Sequence, residues 1–257
     1  MRRTNTFEVV PQSERADTVL RRLLDASASL WNQLTYARRQ QFFAGESVWD
    51  SADYYDKYVD VLGSATTQQI TRVNDAAWRS FFETVEDADQ EVSPPGYWGN
   101  HADGRDLRTY IRNDAYTINW GDRSRLELPI GSQLKDEYGF GRAERLRVAV
   151  RGEPHWQGDQ GRLHLTYDDV DETYRAHQPV TVPEAEQTAP TGTDVAALDI
   201  GANVLVACTT TAGDQYWYSG HEPFRQFRET TERIADAKAK LPDGQQTSNR
   251  IQQLYRK

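Results

Sequence analysis

The run Val92-Ser93-Pro94-Pro95-Gly96 separates two hydrophobic periodicities, so no single secondary-structure class spans the chain. Before it, Leu20, Leu23, Leu24, Ser27, Leu30, Trp31 and Leu34 recur at helical spacing, and Ser13 stands where an N-cap belongs. Ile70, Val73, Ala77, Phe81 and Val85 form a second stripe from a start near Ser64 or Thr66, widened by Trp78 and Phe82. The aromatic, acidic stretch from Asp50 to Leu62 predicts another helix, and Phe7 to Val10 a short strand stopped by Pro11. After the break, Leu146, Val148 and Val150 alternate with Arg145, Arg147 and Arg151, the pattern of a half-buried sheet. Ala115 to Trp120, Arg123 to Leu128 and Arg162 to Tyr167 are further expected strands, with Gly158-Asp159-Gln160-Gly161 as the hairpin turn between Leu146–Val150 and Arg162–Tyr167.

These patterns predict an α+β fold. A β-barrel-like unit is expected from residues 1–12 and 92–175, with a helical unit over 13–91 inserted into it. Residues 176–193, with Pro179, Pro183 and Pro190, have linker composition, and a second unit is expected over 194–257.

With 257 residues, 37% of them hydrophobic and no long apolar run, the chain can bury a core and predicts no membrane span. It carries no signal-peptide pattern, and the single Cys208 excludes a disulfide framework, so a cytoplasmic location is expected. The net charge is −9, yet residues 1–40, 105–151 and 221–257 each carry +3 while 41–104 and 152–220 each carry −9. Basic segments thus alternate with acidic ones. Only 5 of the 30 basic residues are Lys, which together with the acidity suggests a salt-adapted, halophilic protein.

Asp194 to Asn203 carries the most chemical information. Val195 to Ile200 predicts a buried strand, Gly201 to Asn203 a tight turn, Val204 to Thr210 a second strand, Thr211 to Asp214 a turn and Gln215 to Tyr218 a third strand. A carboxylate inside an apolar strand costs several kcal/mol unless it is paired or metal-bound. Asp199 therefore reads as a metal ligand, as a strand-end Asp accepting backbone N–H groups, or as the phosphate-binding Asp of an actin- or sugar-kinase-like ATPase. In the first reading, clustered carboxylates hold two Mg²⁺ ions roughly 4 Å apart that activate water and steady the leaving oxygen.

Four motifs follow one another along the chain: Leu30-Trp31-Asn32-Gln33-Leu34; Gln68-Gln69-Ile70 with Ala77-Trp78-Arg79-Ser80-Phe81-Phe82; Pro95-Gly96-Tyr97-Trp98; and Leu198-Asp199-Ile200-Gly201-Ala202-Asn203. In this order they resemble the TnpB, or transposase OrfB, family, RNA-guided nucleases related to type V CRISPR effectors. The resemblance implies a wedge-like domain with a helical recognition insertion, then the first part of an RNase H-like (RuvC) nuclease domain. It places Asp199 at the catalytic, Mg²⁺-binding position. It implies a guide RNA derived from the transposon end, and target or transposon DNA, as partners. The family's later Glu, Cys-x-x-Cys pairs and final Asp have no counterpart here, so the expectation is a C-terminally truncated chain inactive in cleavage, whether a decayed nuclease or a non-catalytic regulator of transposition.

Nucleic-acid contacts are expected from three groups. Arg105, Arg108 and Arg112 fall at helical spacing after the loop holding Tyr97 and Trp98, whose rings either stack on bases or pack on the sheet. Arg145 and Arg147, with Arg123, Arg125 and Arg151, alternate along strands. Arg225, Arg228 and Arg233 lie on the basic helix after the first RuvC motif, where an ordinary charged surface with Glu229–Arg233 pairing is the other reading. The five histidines show no ligand spacing, and His155 and His164 read as surface residues.

Overall fold

The computed structural model describes residues 1–50, 54–85, 92–100, 102–183, 192–201 and 204–256. The chain forms two compact units, Met1–Pro183 and Glu184–Lys257. His101, Ala202, Asn203, Lys257 and residues 184–191 of the expected linker lie outside the described residues.

The first unit opens with strand β1 (Arg2–Val10), longer than the expected strand, and helix α1 (Glu14–Ala44). Ser13 caps α1, its hydroxyl accepting from the Ala16 N–H at 3.2 Å, and Gly45 ends it in a left-handed conformation with φ 74°. Helices α2 (Tyr55–Leu62) and α3 (Ser64–Val85) follow. Then come β2 (Gly99–Asn100), β3 (Gly104–Arg105), β4 (Arg108–Ile111), β5 (Thr117–Asn119), β6 (Arg125–Leu128), α4 (Ser132–Tyr138), β7 (Leu146–Arg151), β8 (Asp159–Gln160), β9 (Leu163–Asp168) and β10 (Thr173–Thr181).

Seven strands make one antiparallel sheet in the order β4-β9-β10-β1-β7-β6-β5, with β8 added to β10. No pairing among the described residues joins the two edges, β4 and β5, so hydrogen bonds do not close the expected barrel there. Two other expectations need correction. Strand β7 pairs with β1 and β6 rather than with β9, so residues 158–161 are not a hairpin turn, and Asp159 and Gln160 instead pair with the end of β10. Strand β10 also runs through the start of the expected linker. Pro179 sits opposite Thr4 within it and, lacking an N–H, contributes its carbonyl, which accepts from Gly161 N at 2.7 Å.

Helices and sheet share one core. Leu20, Leu23, Leu24, Leu30 and Leu34 of α1 pack with Phe7, Val9, Leu126, Val148, Leu163 and Leu165 of the sheet. The alternation of β7 is observed as read: Leu146, Val148 and Val150 are buried and Arg147 and Arg151 are exposed. Buried polar groups tie the layers together, since Ser27 Oγ lies 2.8 Å from Thr109 Oγ1 of β4 while also donating to the Leu23 carbonyl.

Gly131 precedes α4 against the end of α2. A Cβ there would lie 2.1 Å from the Asp60 carbonyl oxygen and 2.6 Å from the Val61 carbonyl carbon, both backbone atoms. Gly131→Ala is therefore expected to destabilise the first unit by about 2 kcal/mol or more, read as a lowered urea midpoint. An unchanged midpoint would show that the α2–α4 approach is not rigid.

The second unit contains β11 (Ala196–Ile200), β12 (Val204–Thr210), β13 (Gln215–Ser219), α5 (His221–Lys238) and α6 (Asn249–Tyr255). The three strands form an antiparallel meander, as the turn residues predict. Gly213 supplies the positive φ of 91° in the second turn.

Candidate nucleic-acid interface and carboxylate site

Asp199 lies on β11 opposite Ala207 of β12. The expected buried strand is a correction: all five β11 residues are exposed, with Leu198 at 64% and Ile200 at 75%. The burial argument for a metal at Asp199 therefore fails within this unit, because the described residues leave the sheet uncovered. Asp199, Leu198, Cys208, Gln215 and Trp217 help to line an open depression of about 290 Å³. The Gly201 N–H closes the turn onto the Val204 carbonyl at 3.1 Å, and a Cβ at Gly201 would meet that oxygen at 3.2 Å. The described residues hold no cluster of three or more His, Cys, Asp or Glu able to bind a metal.

Two of the three arginines on α5 are bound to acids of the same helix. Arg225 pairs with Glu222 at 2.7 Å and Glu229 at 2.6 Å, and Arg228 pairs with Glu232 at 3.1 Å. These partners hold the Glu222 carboxyl below, and the Arg225 guanidinium above, their usual ranges. With four basic side chains, Arg233 among them, and four acidic ones, α5 adds no net charge.

Arg105, Arg108 and Arg112 do not share a helix. Arg105 belongs to β3, Arg108 to β4, and Arg112 follows β4, because residues 108–111 pair with β9. Arg105 reaches Asp25 at 2.6 Å and Arg112 reaches Asp114 at 2.5 Å, while Arg108 pairs with Asp106. Burial pulls the Arg108 guanidinium below its usual value. On β6 and β7, Arg125 and Arg147 share Glu127 at 3.3 and 3.2 Å. Arg145 donates to the Ala115 carbonyl at 3.3 Å.

The two loop aromatics part ways. Tyr97 is exposed, with the Arg39 guanidinium 5.8 Å from its ring. Trp98 is buried and stacks on Trp31 at 4.4 Å with rings 7° from parallel, so it serves packing.

Sequence reasoning missed a row of rings on the sheet. Tyr110, His164 and His177 lie opposite one another on β4, β9 and β10. Tyr110 and His164 stack at 4.5 Å, and His164 and His177 are 5.7 Å apart. His164 is half-buried rather than a surface residue. Burial, then the charges of Arg108, His177 and Arg162, lower its pKa to about 4. The available signal was the two-residue alternation of Arg162, His164 and Thr166, but it does not name the partners across the sheet.

The family described as "OrfB_IS605: Probable transposase" matches residues 177–257. The TnpB-like protein ORF457 of Acidianus two-tailed virus is 28% identical over 267 residues, covering 93% of this chain. The chain is thus similar to a TnpB-like protein along most of its length and to the OrfB transposase family over its last third. It spans 55% of the length of that viral relative. Among solved structures, a CRISPR-Cas12f ternary complex aligns over 90% of this chain and 55% of its own at 11% identity and TM-score 0.46. A Cas12f1-sgRNA-target DNA complex aligns over 100% of this chain and 64% of its own at 10% identity and TM-score 0.39. No described helix is long and apolar enough to cross a membrane.

Proposed function

We propose that residues 1–257 form the nucleic-acid-binding part of a transposon-associated, TnpB-type nuclease that holds guide RNA and DNA, with Asp199 as one ligand of a catalytic Mg²⁺. The match to a TnpB-like protein along nearly the whole chain carries this reading. In it, residues 1–12 and 92–175 act as the wedge-like domain, 13–91 as the recognition helices, and 194–257 as the opening of the RuvC-like domain. Arg105, Arg108, Arg112, Arg145, Arg147 and Tyr97 serve nucleic acid from the first unit, and Arg225, Arg228 and Arg233 from the second.

Asp199 fits a Mg²⁺ ligand in chemistry: it is an exposed carboxylate beside a close glycine turn. One carboxylate does not make a two-metal site, so cleavage requires further acids from outside the described residues. Bound there, Mg²⁺ would supply an activated water and charge for the leaving oxygen, and Asp199 would fix its position.

The expected result is that residues 1–257 retain RNA transcribed from the transposon end but do not cut target DNA with Mg²⁺. Failure to retain RNA overturns the binding reading, and cleavage overturns the need for further carboxylates. The acidic, Lys-poor composition supports a salt-adapted protein, so both assays are run at low and high KCl, and a fully stable fold at low salt counts against that adaptation.

A further inference from the structure

On the outer face of the sheet, where β4, β9 and β10 meet, the charges do not balance. Tyr110, His164 and His177 form the ring row, and His177 Nδ1 lies 3.1 Å from Thr6 Oγ1 on β1. Trp98 continues the row inward, 5.9 Å from Tyr110. Two guanidiniums lie on it, Arg108 at 5.3 Å from the Trp98 ring and Arg162 at 4.9 Å from the Tyr110 ring.

The charged groups around His164 come from every neighbouring strand. Arg108 reaches it from β4, Arg162 from the start of β9, and His177 from β10, with Arg175 beside His177. Two nearby acids already pair with cations of this face, Asp106 with Arg108 and Asp171 with Arg175 at 3.0 Å, and Glu8 pairs with Arg151 at 3.0 Å, so the unbalanced charge is that of Arg162. Among the described residues, no carboxylate stands within ion-pair distance of Arg162. Two buried nitrogens here, Arg108 Nε and His164 Nε2, have no hydrogen-bond partner. Buried polar atoms normally have one.

Paired imidazoles alone would suggest a metal. The flanking guanidiniums argue against it, because they repel a cation as strongly as they attract an anion. We propose that Arg108, Arg162, His164 and His177 form a proton-linked binding site for the phosphodiester backbone of a nucleic-acid strand. This rests on the nucleic-acid reading above and deepens it. An oxyanion beside Arg162 offsets the positive charge that, added to burial, keeps His164 neutral. Binding then draws a proton onto the imidazole, and affinity rises as pH falls toward the free-state value of about 4.

The test measures Kd of the full chain for fluorescein-labelled oligouridylate and oligothymidylate by anisotropy, across pH and salt. For the wild type, Kd is expected to fall roughly tenfold from about pH 8 to about pH 5.5. His164→Gln/His177→Gln is expected to flatten that profile. Arg162→Gln, at an exposed position, is expected to lower the log–log salt slope by about 0.7–0.9. It keeps the test decisive should the double histidine variant fail to fold. A larger variant effect on uridylate assigns the site to RNA, and on thymidylate to DNA. A wild type that binds neither oligonucleotide overturns the nucleic-acid reading together with this site. Binding in which both variants keep the wild-type pH profile and salt slope overturns this site alone.

Discussion

Replacing Arg38 with Met is expected to lower the unfolding free energy of the first unit by about 3–5 kcal/mol. Arg38 lies on α1 with 5% of its side chain exposed, and it donates to Asn74 Oδ1 at 2.7 Å and Asp75 Oδ1 at 2.6 Å on α3. Asn74 is itself fully buried and donates to Thr35 Oγ1 at 2.9 Å, so one guanidinium organises a polar chain between two helices. Methionine fills the space of the stem but leaves the Asn74 oxygen and the Asp75 carboxylate without their donor. Asp75→Asn is expected to cost less, because that side chain is 23% exposed and water can take over part of its solvation. Urea unfolding of the two variants checks this asymmetry. Equal losses below about 1 kcal/mol would mean that the pair behaves as a surface contact.

Trp31→Ala is expected to cost a similar amount, about 3–5 kcal/mol. The indole is 6% exposed, stacks on Trp98, and donates its Nε1–H to the Gly96 carbonyl at 3.0 Å. Asn32, the next residue, holds Trp98 from both sides of its peptide, accepting from its N–H at 2.7 Å and donating to its carbonyl at 3.1 Å. Removing Trp31 takes away the ring on which Trp98 rests, and Trp98 in turn carries Arg108 and the ring row of the sheet. The loss should therefore appear twice, as a lowered unfolding midpoint and as weaker oligonucleotide binding in the fraction that stays folded. Trp31→Phe keeps a ring and should recover much of the stability. A variant as stable as the wild type would show that the 92–98 segment packs independently of α1.

Local order was written plainly in the residues. The leucine stripe of α1 and its Ser13 cap each act within a few residues, so spacing alone located the start and the buried face of the helix. The alternation of β7 revealed a half-buried strand for the same reason. The Asp199 hairpin was recognisable because a glycine turn and two apolar runs are contiguous.

Pairing across the sheet was not legible. Strand β10 joins β1 across more than 160 residues, so a proline-bearing segment of linker composition becomes an inner strand only because β1 and β9 flank it. Arg105, Arg108 and Arg112 have helical spacing, yet β9 draws residues 108–111 into the sheet, where backbone pairing overrides local periodicity. Asp199 was expected to be buried because its neighbours are apolar, but burial belongs to whatever covers a strand and not to the strand itself.

By itself the sequence determined the α+β class, the main helices with the Ser13 cap, the meander around Asp199 and the resemblance to the TnpB/OrfB family, because these depend on short-range periodicity, turn chemistry and ordered motifs. Only the tertiary structure decided which strands are neighbours, which arginines are already paired with acids, and that Tyr110, His164 and His177 stand in one row. Those facts depend on side chains brought from distant segments to within a few ångströms of one another, and linear spacing does not encode that distance.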